Sequence, residues 1–413
     1  MTFLKHMRTA FANIRRRIAD AGAASLFALG MLAAACGPAW ATDWRPDHTV
    51  IVVLENRSAS QVIGSPEAPC LNALAASGAL FTNAYAATTP YATITPGDTT
   101  QLAARPSQPN YLYLFSGSNQ GVLPEWFQSP GSPYTGTASH DAQGKALPAP
   151  LGGVPVGVGN GLVPAAWRPF TTPNLGAAIR AAGASYASFS ESLPYPAYDG
   201  ERDLLPLVDR YRRKHNPTVN WINLHQAAVP PARQRFVLPV DSNLGFLNTQ
   251  DPTSGQKYRG FAVDADGRSI GFEQLPTVSL VVPNEQNDAH SASLAAADAW
   301  LAQHIQPYAD WARTHNSLLI VTFDEDGGPK IGPPQPIVTV FVGPGQHVAA
   351  GRYAQTIDHL NVLATVLQQY GALEAFGRDF QAAFDTPQAA RAHANLQPLT
   401  AVISPSGKAG SAP

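Results

Sequence analysis

Ser107 opens the run Ser107-Gln108-Pro109-Asn110-Tyr111, which a Leu-Tyr-Leu-Phe-Ser-Gly stretch follows. Proline is tolerated in the first turn of a helix, where its missing N–H costs nothing, so the run places a hydroxyl where a helix can start. Unpaired backbone N–H groups and the positive end of the helix dipole gather at such a point and favour an anion such as phosphate. Asn110 adds a side-chain amide donor one step further in. A serine at this place also serves as an ordinary N-cap. What sets Ser107 apart is its company: acidic and histidine-bearing clusters, each falling where a strand should end.

The apolar run 49–54 leads straight into Glu55-Asn56. In open parallel sheets, ligands bind beyond the carboxyl ends of the strands. A carboxylate and an amide there are hard oxygen ligands for a divalent cation. The run 318–323 leads into Asp324-Glu325-Asp326, three carboxylates that repel one another and need either a cation or a solvated loop. Gly327-Gly328 then lets the backbone turn away. The run 277–282 leads into Pro283-Asn284-Glu285-Gln286-Asn287-Asp288-Ala289-His290, whose Asp288 and His290 suit a metal or a phosphate. Asp288 alone also suits the cap of a helix predicted from 293, which leaves His290 unexplained. His359, after Ile357-Asp358, and His215, in Lys214-His215-Asn216-Pro217, complete the set, with Glu191 a candidate to orient His215. Together these residue types suit phosphoryl transfer through a covalent seryl-phosphate. A metal would lower the pKa of the Ser107 hydroxyl and neutralise phosphoryl charge, while a histidine protonates the leaving alcohol.

The elements that must position these groups alternate buried-strand runs with helical patterns. The expected fold class is α/β, a central, mostly parallel sheet with helices on both faces. Strands are predicted at 49–54, 80–85, 185–190, 277–282, 318–323 and 337–342. Helices are predicted at 69–76, 173–182, 293–314 with a kink at Pro307, and 359–370, with Gly78 and Gly371 as C′ residues. Residues 122–170 are rich in Gly and Pro without a period, and read as a long surface insertion, either a lid or specificity loop or a passive one.

The start of the chain reads differently from the rest. Lys5, Arg8 and Arg15-Arg16-Arg17 precede an apolar run over 21–35, and Ala39-Trp40-Ala41 offers a small-x-small cleavage site. This is the pattern of a secretory signal peptide over 1–41, cleaved after Ala41, with a periplasmic or secreted product. The apolar run is short and interrupted for a membrane span. Cys36 after three alanines leaves a lipoprotein site open, and the arginines leave twin-arginine export open. Cleavage removes five basic residues and one acidic residue, taking the net charge from −2 to −6. A mildly acidic chain is a poor nucleic-acid binder. Only Cys70 remains, so no internal disulfide forms. The expected organisation is one domain over 42–402 and a disordered tail over 403–413.

The motifs, taken in order, resemble a known family. Leu-Glu-Asn after the first strand, Pro-Ser-Gln-Pro-Asn-Tyr-Leu…Phe-Ser-Gly, Tyr-x-x-Lys-His-Asn-Pro, Val-Pro-Asn…Asn-Asp-x-His, Thr-Phe-Asp-Glu-Asp and Asp-His-x-x-Val-Leu span roughly residues 48–375. The set is similar to the bacterial phosphoesterase family, which contains acid phosphatases, secreted phosphatidylinositol-3-phosphate phosphatases and phospholipases C and belongs to the alkaline phosphatase superfamily. The resemblance implies metal ligands at Glu55, Asn56, Asp324 and Glu325 and a nucleophile at Ser107. Ser107-x-Pro-Asn also looks like the Thr-x-Pro-Asn of nucleotide pyrophosphatases, which implies that Asn110 holds a phosphate oxygen. His215, Asp288, His290 and His359 match positions lining the phosphate pocket or a second metal site. Two positions depart from the pattern. Arg105 stands where secreted phosphatase relatives have His, and a guanidinium can clamp phosphate but cannot act as an acid. Asp326 stands where the phospholipase branch has His.

The expectation is an exported, metal-dependent phosphomonoesterase, acid phosphatase-like. Ser107, His215 and His290 are catalytic; Asn110, Arg105, Asp288 and His359 bind substrate. The cofactor is a divalent ion, with Ca²⁺, Mg²⁺ or Mn²⁺ favoured by the oxygen ligands and Zn²⁺ admitted by the histidines. The substrate is a small phosphate ester or a phospholipid headgroup. A phospholipase C or other phosphodiesterase, and a non-catalytic exported binding protein on the same scaffold, are the alternatives. The sequence leaves the oligomeric state open.

Overall fold

A computed structural model describes residues 44–87, 107–120 and 169–403, apart from 201, 204–209, 225, 329–333, 385–386 and 401. Arg105, residues 1–41 with Cys36, most of 122–170 and 404–413 lie outside the described residues.

The strands are β1 (His48–Leu54), β2 (Ala79–Tyr85), β3 (Tyr186–Ser190), β4 (Asn243–Gly245), β5 (Thr249–Gln250), β6 (Lys257–Tyr258), β7 (Val278–Val282), β8 (Ser317–Phe323), β9 (Ile337–Val342) and β10 (Gly351–Asp358). Eight of them form one sheet in the order β10-β2-β9-β8-β1-β7-β3-β4, while β5 and β6 pair with each other. Within the large sheet, β9 runs antiparallel to β2 and β8, and the other neighbouring pairs are parallel. Strand β1 sits in the middle, and Thr49 to Leu54 are buried on both faces. That explains its continuous apolar run, since helices cover both sides of a parallel sheet.

The helices are α1 (Ala59–Val62), α2 (Pro69–Ser77), α3 (Ser107–Ser116), α4 (Leu175–Ala181), α5 (Leu294–His304), α6 (Gln306–Thr314), α7 (His359–Gln369), α8 (Leu373–Ala383) and α9 (Pro387–Ala394). They pack in two groups: α2, α5 and α6 on one another and on the sheet, and α3, α4, α7 and α8 likewise. The expected kink is a full break, because Pro307 offers no N–H to the carbonyl four residues back and α6 restarts there.

Three features differ from the expectation. Gly78 is not in the left-handed region (φ −118°); a Cβ there would lie 2.5 Å from the Phe341 carbonyl oxygen, so close approach is what demands glycine. Gly371, at φ +68°, does end α7 in the left-handed form. Strand β10 shows no apolar alternation because it is the sheet edge, with Gly351, Arg352, Ala354, Gln355 and Thr356 exposed. Ile403, assigned from sequence to the tail, is buried and bridges Val348.

Asp358 ends β10 and caps α7: its side chain accepts from the Leu360 N–H at 2.8 Å, and the Asn361 side chain accepts from the Asp358 N–H at 2.9 Å. Asn395 donates to the other Asp358 oxygen at 2.8 Å, tying the C-terminal segment to the same cap. Asp358→Ala should cost roughly 1–2 kcal/mol, the upper range for a lost N-cap. Urea titration checks this; a midpoint unchanged from wild type would show that the cap contributes nothing.

Candidate active site

The site is built on the carboxyl ends of β1, β7 and β8. Parallel register aligns Leu54 with Phe323 on one side and Val52 with Val281 on the other, so the segments that follow emerge together. Backbone pairing continues past the strand ends. The Glu55 N–H donates to the Asp288 carbonyl (2.8 Å), and the Asp324 N–H donates to the Leu54 carbonyl (2.9 Å). Asn56 then turns the chain aside with φ +50°, a conformation that Asn tolerates better than most residues, and its N–H donates to Asp324 Oδ1 at 3.1 Å. Arg57 Nε donates to the Ala289 carbonyl at 2.9 Å and ties the first loop to the third.

Helix α3 brings the hydroxyl. Ser107 is its first residue, and Oγ donates to Glu55 Oε2 at 3.3 Å. One turn later, Tyr111 Oη donates to Glu55 Oε1 at 2.6 Å. Residues i and i+4 share a helix face, which is why one carboxylate receives both. His215, in a short 3₁₀ turn, stacks on Tyr111 with ring centroids 5.3 Å apart and sets Nε2 3.1 Å from Glu55 Oε2. On its other side, Nδ1 faces Glu285 Oε1 at 3.7 Å. His290 Nδ1 lies 3.9 Å from Glu55 Oε2, with 42% of its side chain exposed.

The charge of this cluster needs an answer. Glu55, Asp288, Asp324, Glu325 and Asp326 are all buried. Burial, then the charge of Glu55, hold a proton on Asp288 up to about 9 and push the Asp324 carboxyl well above its ordinary range. Burial and the same charge push the Tyr111 phenol well up, so it remains a donor. Glu285 goes the other way: burial raises it, but His215, Ser291 and Arg212 together bring it below its ordinary value. Glu55, His215 and Asp288 each offer a ligand atom, all within 4.8 Å of one another. Asn56 Oδ1 and Asp288 Oδ2 are buried acceptor atoms with no hydrogen-bond partner among the described residues. Buried acceptors without donors, set among carboxylates that cannot all ionise alone, fit a divalent cation.

The remaining sequence candidates take distinct places. Asn110 is fully buried three residues after Ser107 on the same helix. Glu325 is buried beside Asp324, whose Oδ1 accepts from the Glu325 N–H at 2.6 Å. His359 stands behind the loop with Nε2 2.9 Å from the Phe323 carbonyl; burial drives its pKa down to about 4, so the ring is neutral. Glu191 does not orient His215: its oxygens accept from the Asn284 N–H and the Asn287 amide, and Glu285 lies beside the histidine instead. Asp326 closes its own loop, accepting from the Gly328 N–H at 2.7 Å and the Gln335 N–H at 3.1 Å. A histidine has no pair of acceptor atoms for those two donors.

Sequence reasoning passed over Tyr111, Arg57 and the site role of Glu285. Tyr111 carried the one available signal, its i+4 spacing from Ser107. The partners of Arg57 and Glu285 lie 232 and about 70 residues away, and no local pattern reports them.

Residues 257–373 match the Phosphoesterase family. A phosphatidylinositol-3-phosphatase of Mycobacterium tuberculosis (strain H37Rv) is 34% identical over 324 residues, which cover 78% of this chain and 77% of that protein. A phosphate-repressible acid phosphatase of Penicillium chrysogenum is 25% identical over 197 residues, 47% of this chain and 41% of that protein. A solved structure of a protein in the alkaline phosphatase superfamily from Vibrio parahaemolyticus aligns over 80% of this chain and 68% of that chain at 13% identity, with a TM-score of 0.40. With the first relative sharing a third of its residues over most of both chains, this chain belongs to the Phosphoesterase family, hydrolases that act on phosphoric ester bonds.

Proposed function

We propose that this chain is an exported, metal-dependent phosphomonoesterase, acid phosphatase-like, that acts through a seryl-phosphate on Ser107. The observation that carries the reading is the Ser107 hydroxyl, first residue of α3, donating to a buried carboxylate oxygen at 3.3 Å. Both curated relatives are phosphatases by name, which supports a phosphomonoester over a diester. The substrate is then a small phosphate ester or a phosphorylated lipid headgroup. Export rests on the basic, apolar and small-residue sequence of 1–41. Among the described residues no helix is long and apolar enough to cross a membrane.

Each group has a task that follows from its surroundings. Ser107 Oγ attacks phosphorus as its hydroxyl proton passes to Glu55 Oε2, the oxygen it already faces. The first-turn N–H groups of α3 and the amide of Asn110 hold the phosphoryl oxygens. His290 is the acid for the leaving alcohol, because it is half-exposed whereas His215 is buried between two carboxylates. His359, neutral and bound to the Phe323 carbonyl, has no proton to give near neutral pH and acts as a support for the Asp324 loop. Water then attacks the seryl-phosphate while His290 takes its proton; the bond from phosphorus to Ser107 Oγ breaks, Glu55 returns the proton to Oγ, and phosphate leaves. A divalent cation held by Glu55, Asn56, His215, Asp288, Asp324 and Glu325 would supply Lewis-acid stabilisation of the alkoxide and the phosphoryl charge.

Ser107→Ala removes the attacking atom and leaves the carboxylate cluster in place. Turnover of p-nitrophenyl phosphate should fall by several orders of magnitude while vanadate still binds. A variant that keeps more than about a tenth of the wild-type rate, a barrier change under ~1.4 kcal/mol, would rule Ser107 out as nucleophile.

Cation binding should displace protons. Without the ion, Asp288 holds a proton up to about 9, so below that pH the ion competes with it. Affinity for Mg²⁺ should rise roughly tenfold per pH unit between pH 6 and 8 for each proton released. The folded, cation-free site keeps a proton that the unfolded chain loses near its ordinary carboxyl pKa of about 4. Stability without the ion should therefore fall as pH rises from about 4 toward 9, and added Mg²⁺ should restore more of it at pH 8 than at pH 6. Calorimetric affinities independent of pH over this range would argue against Asp288 as a ligand.

A further inference from the structure

The contacts of Glu55 within the site divide by oxygen. Oε2 faces the reacting centre, with Ser107 Oγ at 3.3 Å, His215 Nε2 at 3.1 Å and His290 Nδ1 at 3.9 Å. Oε1 receives the Tyr111 hydroxyl at 2.6 Å. That distance is typical of a charge-assisted O–H···O⁻ bond. Tyr111 has little freedom to release it. The residue is buried, its backbone belongs to α3, and its ring is stacked on His215. Breaking the bond would strand a buried hydroxyl, a cost of the kind that keeps such pairs intact.

Resting on the cation reading above, we infer that the Tyr111 hydroxyl selects which cations the site accepts, by holding Glu55 to one-oxygen coordination. Ca²⁺ commonly reaches its six to eight ligands by taking both oxygens of a carboxylate, whereas Mg²⁺ demands an octahedron of single oxygens at shorter range. With one lone pair of Oε1 held by the short Tyr111 bond, Oε2 is the better ligand atom of Glu55. The site is thereby biased toward the small six-coordinate ion and against Ca²⁺. Tyr111 is a positioning residue: it acts on the cation through Glu55.

The test is Tyr111→Phe in the full chain, which deletes one oxygen and keeps the ring against His215. Dissociation constants for Mg²⁺ and for Ca²⁺, each added alone, are measured calorimetrically for wild type and variant, with circular dichroism to check the fold. The ratio of the Ca²⁺ constant to the Mg²⁺ constant should fall about tenfold or more in the variant, the scale on which loss of an outer partner changes metal affinity. A ratio within about twofold of wild type would overturn the inference while leaving the cation site standing. A wild-type chain that binds neither ion would overturn both. If the variant does not fold, infrared difference spectra of the wild type decide the matter. Added Ca²⁺ should give the wide carboxylate band splitting of one-oxygen coordination. A narrow splitting that disappears in Glu55→Gln would overturn the inference.

Discussion

Everything at this site depends on the burial of Glu55, fully out of water at the end of the central strand. A buried carboxylate must be paired, hydrogen-bonded or neutralised. Here its neighbours divide into hydroxyl donors, Ser107 and Tyr111, a His215 ring nitrogen 3.1 Å away, and further acids, Asp288 and Asp324, whose carboxyls its charge pushes up. The donors orient it; the acids make the cluster a poor place to ionise and a good place for a cation. Strand β1 enforces this crowding, because its two parallel neighbours end level with it and send acidic loops to the same edge.

The three histidines show how one side-chain type is put to different uses by surroundings. His215 is buried between Glu55 and Glu285. His359 is held neutral by desolvation, with Nε2 on a backbone carbonyl. His290 keeps solvent contact at the rim. Burial separates the one that keeps solvent contact from the two held inside the fold.

The loops around the cluster carry unusual backbone. Asn56 at φ +50° and Ala289 at φ +80° both lie in the left-handed region, and Ala289 has no side-chain group to ease it. Both sit directly beside the carboxylates, and the Arg57 bond to the Ala289 carbonyl joins the two segments. Residues held in sparsely populated conformations persist where the surroundings over-determine them, and here the strand-end pairing of Glu55 with Asp288 does so.

Much of this was legible without coordinates. Apolar runs ending in Glu55, Asp324 and the 283–290 loop announced a parallel sheet with acidic groups gathered at its carboxyl edge, since a strand covered on both faces has to be apolar throughout. The Ser107-x-Pro-Asn run announced a helix start, because proline restricts where it can sit. The polar edge strand β10 was not legible, because an edge strand has no buried face to write a period, and no local pattern carries the reversal of β9 or the order of the sheet. Nor did the sequence assign Glu285 to His215 in place of Glu191, or show that Asp326 closes its own loop. Residue type and local spacing settle which groups can do chemistry and which end of a strand carries them. Which oxygen of Glu55 meets Tyr111 and which meets Ser107 depends on how helix α3 lies against the sheet, and only long-range packing decides that.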